Sequence, residues 1–321
     1  MQWNVNHGWG QVVGQLPFNP TGSVFMVGDS STVNIDRLKQ LFGFNPDGVV
    51  TYSATVQGAI DRATADAGDI IFIAPGHTET VDSTGDFLIN KAGIKIIGLG
   101  QGDLLPLVDI TSTSGKIQIT ENDVTLSNVR VRPGAGSSGC AAGIELLSTT
   151  AARNITLDGI VWGPRSSQCA ALDTFVSLGT NSSGANYFDG LTIKNNVFQY
   201  YTTSTTGTGI AFNLVTDNLD NLLFVNNKGS LYSSAGWLQS SGTSYGWDIS
   251  DSRIHNQSSG AFTVDINGTG TYGIMAHNYF SSRSTAAYEA FADTGAMNMV
   301  ETYFGNASAA DRAGRIFQTI T

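Results

Sequence analysis

The chain has 321 residues, 41% of them apolar, which is enough to bury a sizeable core in one large domain or two modest ones. Lys and Arg number 16 against 26 Asp and Glu, a net charge of −10 with no basic run, which argues against nucleic-acid binding by phosphate neutralisation. No stretch approaches the roughly 18 apolar residues of a membrane-spanning helix. The first 30 residues carry neither Lys, Arg nor a continuous apolar run, so no secretory signal is expected either.

Charged residues make up only 13% of the chain; Gly is abundant at 38, and Ser, Thr and Asn supply most of the polarity. A surface of hydroxyls and amides suits stacked β structure, where charges of one sign repel along a ladder. The two cysteines, Cys140 and Cys169, are too few for a disulfide framework. They are expected to be packed free thiols on neighbouring repeats.

Residues 1–30 are rich in Gly, Asn and Gln and carry Trp3, Trp9 and Phe18 without helical period. They read as an N-terminal arm whose three aromatics contact a sister subunit or a larger shell, or else as an irregular cap. Residues 31–68 are expected to hold two short helices. Asn34 can cap IDRLKQLF, which Gly43 ends, and NPDG at 45–48 is a turn. In TVQGAIDRATADAG the apolar face is Val56, Ala59, Ile60 and Ala63. DIIFIAPG then reads as a strand ending in Pro-Gly.

From residue 69 to 321 the chain repeats. Eight segments share an apolar–x–apolar core: IKI at 94–96, VTL at 124–126, ITL at 155–157, LTI at 191–193, LLF at 222–224, WDI at 247–249, YGI at 272–274 and MNM at 297–299. Their last residues lie 30, 31, 36, 31, 25, 25 and 25 apart, the spacing of a solenoid or array. Each repeat carries a second β-rich run, from KIQIT at 116–120 to RIFQTI at 315–320. Two or three short strands per repeat are too few for a propeller blade, and the absence of helical period excludes helical solenoids. The fold class expected is all-β: a single-stranded right-handed parallel β-helix with short N-terminal helices. Leu126, Leu157, Ile193, Phe224, Ile249 and Ile274 are expected to form one inward column.

Asn128, Asn195, Asn196, Asn226, Asn227 and Asp251 follow these cores by two or three positions. On successive coils such residues stack about 4.8 Å apart. Asn can hydrogen-bond up such a ladder and tolerates the left-handed backbone of a tight corner. A corner ladder through Asn195, Asn226 and Asp251 is expected.

The segment VQGAIDRATADAGDIIFIAPGHTET at 56–80 resembles the opening of pectate-lyase-like β-helix proteins, in which a helix caps the first coil and a strand starts it. The resemblance implies the fold. It also implies company found in bacteriophage virions, as tailspikes or head-associated proteins. It carries little about activity, since this fold hosts lyases, hydrolases and structural proteins.

Candidates for chemistry are weak. Asp248, Asp251 and Asp265 with Arg253 form the densest late acidic group, but calcium needs several converging oxygens, and Asp251 already fits the ladder. Asp158 with Asp189, or Asp217 with Asp220, can be a glycosidase pair, yet most acids on neighbouring coils meet that spacing. His7, His77, His255 and His277 show no zinc spacing; His77 reads as packing and His277 as a corner residue. No metal site, cofactor or catalytic residue is therefore expected. Aromatics at 187–190, 198–201, Trp237 and Tyr245–Trp247 lie near coil ends and suit a glycan platform or an oligomer interface.

The expected function is a structural protein of a bacteriophage virion, a head-decoration or other surface protein. The expected partners are two sister chains in a homotrimer and the capsid shell, with surface glycans as a further partner. The alternative is a tailspike-like polysaccharide depolymerase or a non-catalytic glycan receptor. Deleting residues 2–30 is expected to spare the β-helix and abolish assembly or attachment.

Overall fold

The computed structural model describes residues 22–28, 50–134, 142–147, 152–163, 174–179, 187–199, 212–214, 218–231, 238–240, 244–257, 264–266, 271–282, 296–305 and 315–317. Trp3, Trp9, Phe18, the helix expected at 35–42, Cys140, Cys169, Asp217 and Trp237 lie outside them.

The chain winds as a right-handed parallel β-helix. A first sheet of 11 strands, a second of 10 and a third of 7 form its walls, and a three-stranded sheet widens one corner. A middle coil shows the order. The strand Val176–Gly179 of the third sheet leads to Tyr187–Asp189 in the small sheet. The chain then turns into Thr192–Lys194 of the first sheet and Val197–Gln199 of the second. Each strand pairs in parallel with its counterpart one coil on, as Thr192↔Leu223 and Val197↔Lys228.

Alternation explains why the walls enclose an apolar core. In three-residue strands such as Thr156–Asp158 and Thr192–Lys194, the central residue is buried and its neighbours face outward. The inward column of the first sheet runs Ile71, Ile96, Leu126, Leu157, Ile193, Phe224, Ile249, Met275 and Met299 by register. Five members of the expected column are joined as read, but Ile274 is not the sixth. It pairs with Asp248 on the outer face and is 41% exposed, whereas Met275 is fully buried. A slip of one residue reverses the face of a strand, and YGIM offers two apolar candidates side by side.

Aromatic rings fill the middle of the prism. Trp162, Phe175, Phe198, Phe212 and Phe224 form a chain of contacts with ring centroids 5.1–5.6 Å apart. Phe188, Phe198 and Trp247, expected near the surface as part of a binding platform, are in the core instead. Trp247 also donates its indole N–H to the Leu219 carbonyl at 2.7 Å.

At the N-terminal end the helix Val56–Arg62 caps the coil. The Thr55 side chain accepts from Gly58 N–H, and Val56, Ala59, Ile60 and Ala63 are buried on the expected face. The helix stops earlier than the apolar pattern, because Ala63 is extended and Thr64 N–H is taken by Asp69 Oδ2 at 2.7 Å. Val24–Val27, late in the segment expected as an arm, is a strand of the first sheet. It lies between Val50–Ser53 and Ile70–Ile73, with Phe25, Met26 and Val27 buried. Deleting residues 2–30 would remove this paired core strand, so the β-helix is expected to be destabilised by that change rather than spared. At the other end, Arg315–Phe317 does not add a further coil as its β-rich sequence implied. It folds back antiparallel on Thr302–Gly305.

Candidate functional site

The first sheet is bordered by two corners where, among the described residues, the backbone turns left-handed once per coil. At the corner leading to the second sheet, Asn128, Gly159, Asn195, Asn226, Asp251, His277 and Glu301 all have φ between 44° and 65°. Each follows its inward residue by two positions: Leu126 and Asn128, Phe224 and Asn226, Met275 and His277. Asn226 donates to Asn195 Oδ1 at 2.7 Å, and Asn195 donates to Asp158 Oδ1 at 2.8 Å. Asp251 continues the same column, with His277 Nδ1 3.7 Å from its carboxylate and His277 Nε2 3.7 Å from Glu301. Asn195, Asn226 and Asp251 thus occupy equivalent corners of successive coils as expected, and a side-chain hydrogen bond joins Asn195 to Asn226.

The next residue of each coil points inward and forms a second, buried ladder. Asn196, Asn227, Ser252, Asn278 and Thr302 are almost completely excluded from solvent. Asn196 Oδ1 accepts from Ile160 N–H, Asn227 Oδ1 from Asn196 N–H, Ser252 Oγ from Asn227 N–H, and Asn278 Oδ1 from Ser252 N–H. The amide groups of Asn227 and Asn278 donate to the carbonyls of Ile193 and Ile249 at 2.9 and 2.7 Å. A buried corner leaves backbone groups that no strand can pair, and these side chains satisfy them. The adjacent Asn-Asn pairs at 195–196 and 226–227 carried the signal for two ladders rather than one.

The corner entering the first sheet is built likewise. Asp66, Gly93, Asp123, Asn154, Gly190, Asn221 and Gly246 have φ between 54° and 74°. Asn154 donates to Asp123 at 2.8 Å and Asn221 to Asp189 at 2.7 Å, while Asp220 Oδ1 accepts from Tyr245 N–H at 2.8 Å. No apolar repeat marks this corner, so the sequence pattern did not reveal it.

The candidate acids are distributed along these structures. Asp158 and Asp189 lie at opposite borders of the first sheet; Asp158 bonds Asn195 and lies 3.5 Å from Lys194, and Asp189 bonds Asn221. Asp248 faces outward between Leu223 and Ile274, with one carboxylate oxygen buried and unpaired. The side chain of Asp265 lies outside the described residues. Among the described residues no group of three His, Cys, Asp or Glu could hold a metal ion.

His77 is buried beside Glu79, with Nε2 2.8 Å from Glu79 Oε2, and that same oxygen accepts from Val56 N–H at the start of the helix. The pair joins the cap to the first coil. Asp69 does the same through Ser23 N–H and Thr64 N–H. Sequence reasoning did not single out Glu79 or Asp69. His255, on the outer face of the second sheet, bonds Ser281 at 2.8 Å, and partial burial lowers its pKa.

Two exposed aromatic stacks complete the surface. Tyr245 and Tyr272 lie parallel beside the first sheet with centroids 5.3 Å apart, and Tyr279 and Tyr303 lie parallel on the second at 4.6 Å. Beneath the second stack, Lys228 and Arg253 are exposed register partners on adjacent coils. Comparison with protein-family models, curated proteins and solved structures found no match.

Proposed function

We propose that the chain is a structural protein of a bacteriophage particle, a head-decoration or other surface protein assembled as a homotrimer. The observation that carries this is the use of its acids. Asp123, Asp158, Asp189 and Asp220 accept hydrogen bonds that hold the corners, and Asp251 sits in the corner ladder. Glycoside cleavage instead requires two carboxylates held for proton transfer and attack. Here these five acids serve the regularity of the coil, which suits a rigid particle component. Support also comes from the resemblance of residues 56–80 to pectate-lyase-like β-helices of virions, whose cap helix and first strand are formed here as Val56–Arg62 and Ile70–Ile73.

The test pairs location with chemistry. Peptides of this chain should be abundant in purified particles, and the purified protein should release no reducing or unsaturated ends from acidic or neutral polysaccharides, with or without calcium. Cleavage abolished by Asp248→Asn would put the depolymerase alternative first. The exposed tyrosine stacks favour glycan binding without cleavage as a second reading, which saturable binding of soluble host polysaccharide would support.

A further inference from the structure

Successive coils align Lys228, Arg253, Tyr279 and Tyr303 in one register column on the outer face of the second sheet. The next outward column holds Ser230, His255 and Ser281. The four strands of this face, Lys228–Leu231, Arg253–Asn256, Tyr279–Ser282 and Thr302–Gly305, contain no Asp or Glu. Lys228 and Arg253 are exposed, and no ion pair among the described residues engages either. On earlier coils three cations are matched: Lys116 with Glu145, Arg132 with Asp109 and Lys194 with Asp158. The acids of the adjoining corner, Asp251 and Glu301, flank His277 instead. Two cations in register on strands about 4.8 Å apart repel and weaken the sheet. Folding therefore does not account for the pair, and local rules broken in this way are expected at functional sites.

We infer that this strip binds an acidic polysaccharide, with its carboxylates on Lys228 and Arg253 and its sugar rings against Tyr279. The inference rests on the glycan-binding reading and gives it a site and a ligand class. The charge of the occupant follows from two unmatched cations on an acid-free face. An anion between them replaces repulsion with charge-assisted hydrogen bonds, the stronger class of polar contact. Charge density argues against nucleic acid: duplex DNA carries a charge about every 1.7 Å. A chain of net charge −10 that offers two cations is a poor match for it. A sparsely charged glycan fits two cations, and the other groups suit sugar. Tyr279 is 47% exposed and offers an amphipathic ring. Ser230, His255 and Ser281 supply groups that hydrogen-bond sugar hydroxyls.

Isothermal titration of the full-length chain tests this. Hyaluronan, alginate and polygalacturonate are the acidic probes, dextran the neutral one and polyglutamate the acidic peptide. The wild type should bind the acidic glycans, more weakly as salt is raised. Dextran and polyglutamate should bind roughly tenfold more weakly or not at all. Lys228→Gln with Arg253→Gln should lose roughly tenfold or more in affinity for the acidic glycans. Lys228→Arg with Arg253→Lys keeps the charge and should keep most of the binding. Both side chains are exposed, and circular dichroism establishes folding; Lys228→Gln alone replaces the pair if the pair fails. A Gln variant that binds like the wild type, or polyglutamate that binds as tightly as the acidic glycans, would overturn the inference. Saturable dextran binding that the Gln variant retains overturns it too, but leaves the glycan-binding reading standing at another surface. Binding of no glycan sinks both.

Discussion

Asn227 shows how much one buried amide holds. Its Oδ1 accepts from both Asn196 N–H and Asn196 Nδ2, and its Nδ2 donates to Ile193 O. Asn227→Ala removes all three bonds and leaves the buried Asn196 N–H without this acceptor, a cost of about 1–3 kcal/mol. Denaturant unfolding should show a loss of at least that size, whereas Asn226→Ala, on the exposed ladder, should lose less. His255 gives a pH dependence of known sign. Burial lowers its folded-state pKa below the unfolded value, so the unfolded chain binds more protons between the two. Its contribution is intact above the ordinary histidine value and is lost as the pH falls through that value towards the lowered one. Melting temperature against pH should fall in that window for the wild type and less for His255→Gln.

At the scale of the element, the corner fixes the register. Met275→Ala should cost about 2–5 kcal/mol, because the side chain is fully buried in the inward column. Ile274→Ala should stay within about 0.5 kcal/mol, as an exposed substitution does. Equal losses in unfolding experiments would contradict the register. The column was legible in the sequence as far as Ile249, since the repeat spacing and the Asn residues agree there. Beyond it, His277 lies three residues after Ile274 but two after Met275, and the constant offset of two was the better guide. The burial of Phe188, Phe198 and Trp247 was not legible, because aromatics near corners fit either face until the register is known. Nor was the placement of Val24–Val27 between two later strands, since the eye follows repeats in order and this pairing skips across them. The Glu79 bond to the helix start joins residues 23 apart, with no motif to mark it.

For the whole molecule, the two borders of the first sheet repeat once per coil among the described residues. Removal of residues 2–20 spares the strand Val24–Val27 and should leave the melting profile of the β-helix intact. If Trp3, Trp9 and Phe18 are the assembly contacts expected of them, the shortened chain should no longer bind particles; retention on particles would relieve them of that role. Electron cryo-imaging of assembled particles tests the structural role most directly. The result predicted is rod-like density matching this β-helix in sets of three on the particle surface. Particles that carry no such density, with the chain recovered only as a free protein that cleaves polysaccharide, would contradict it.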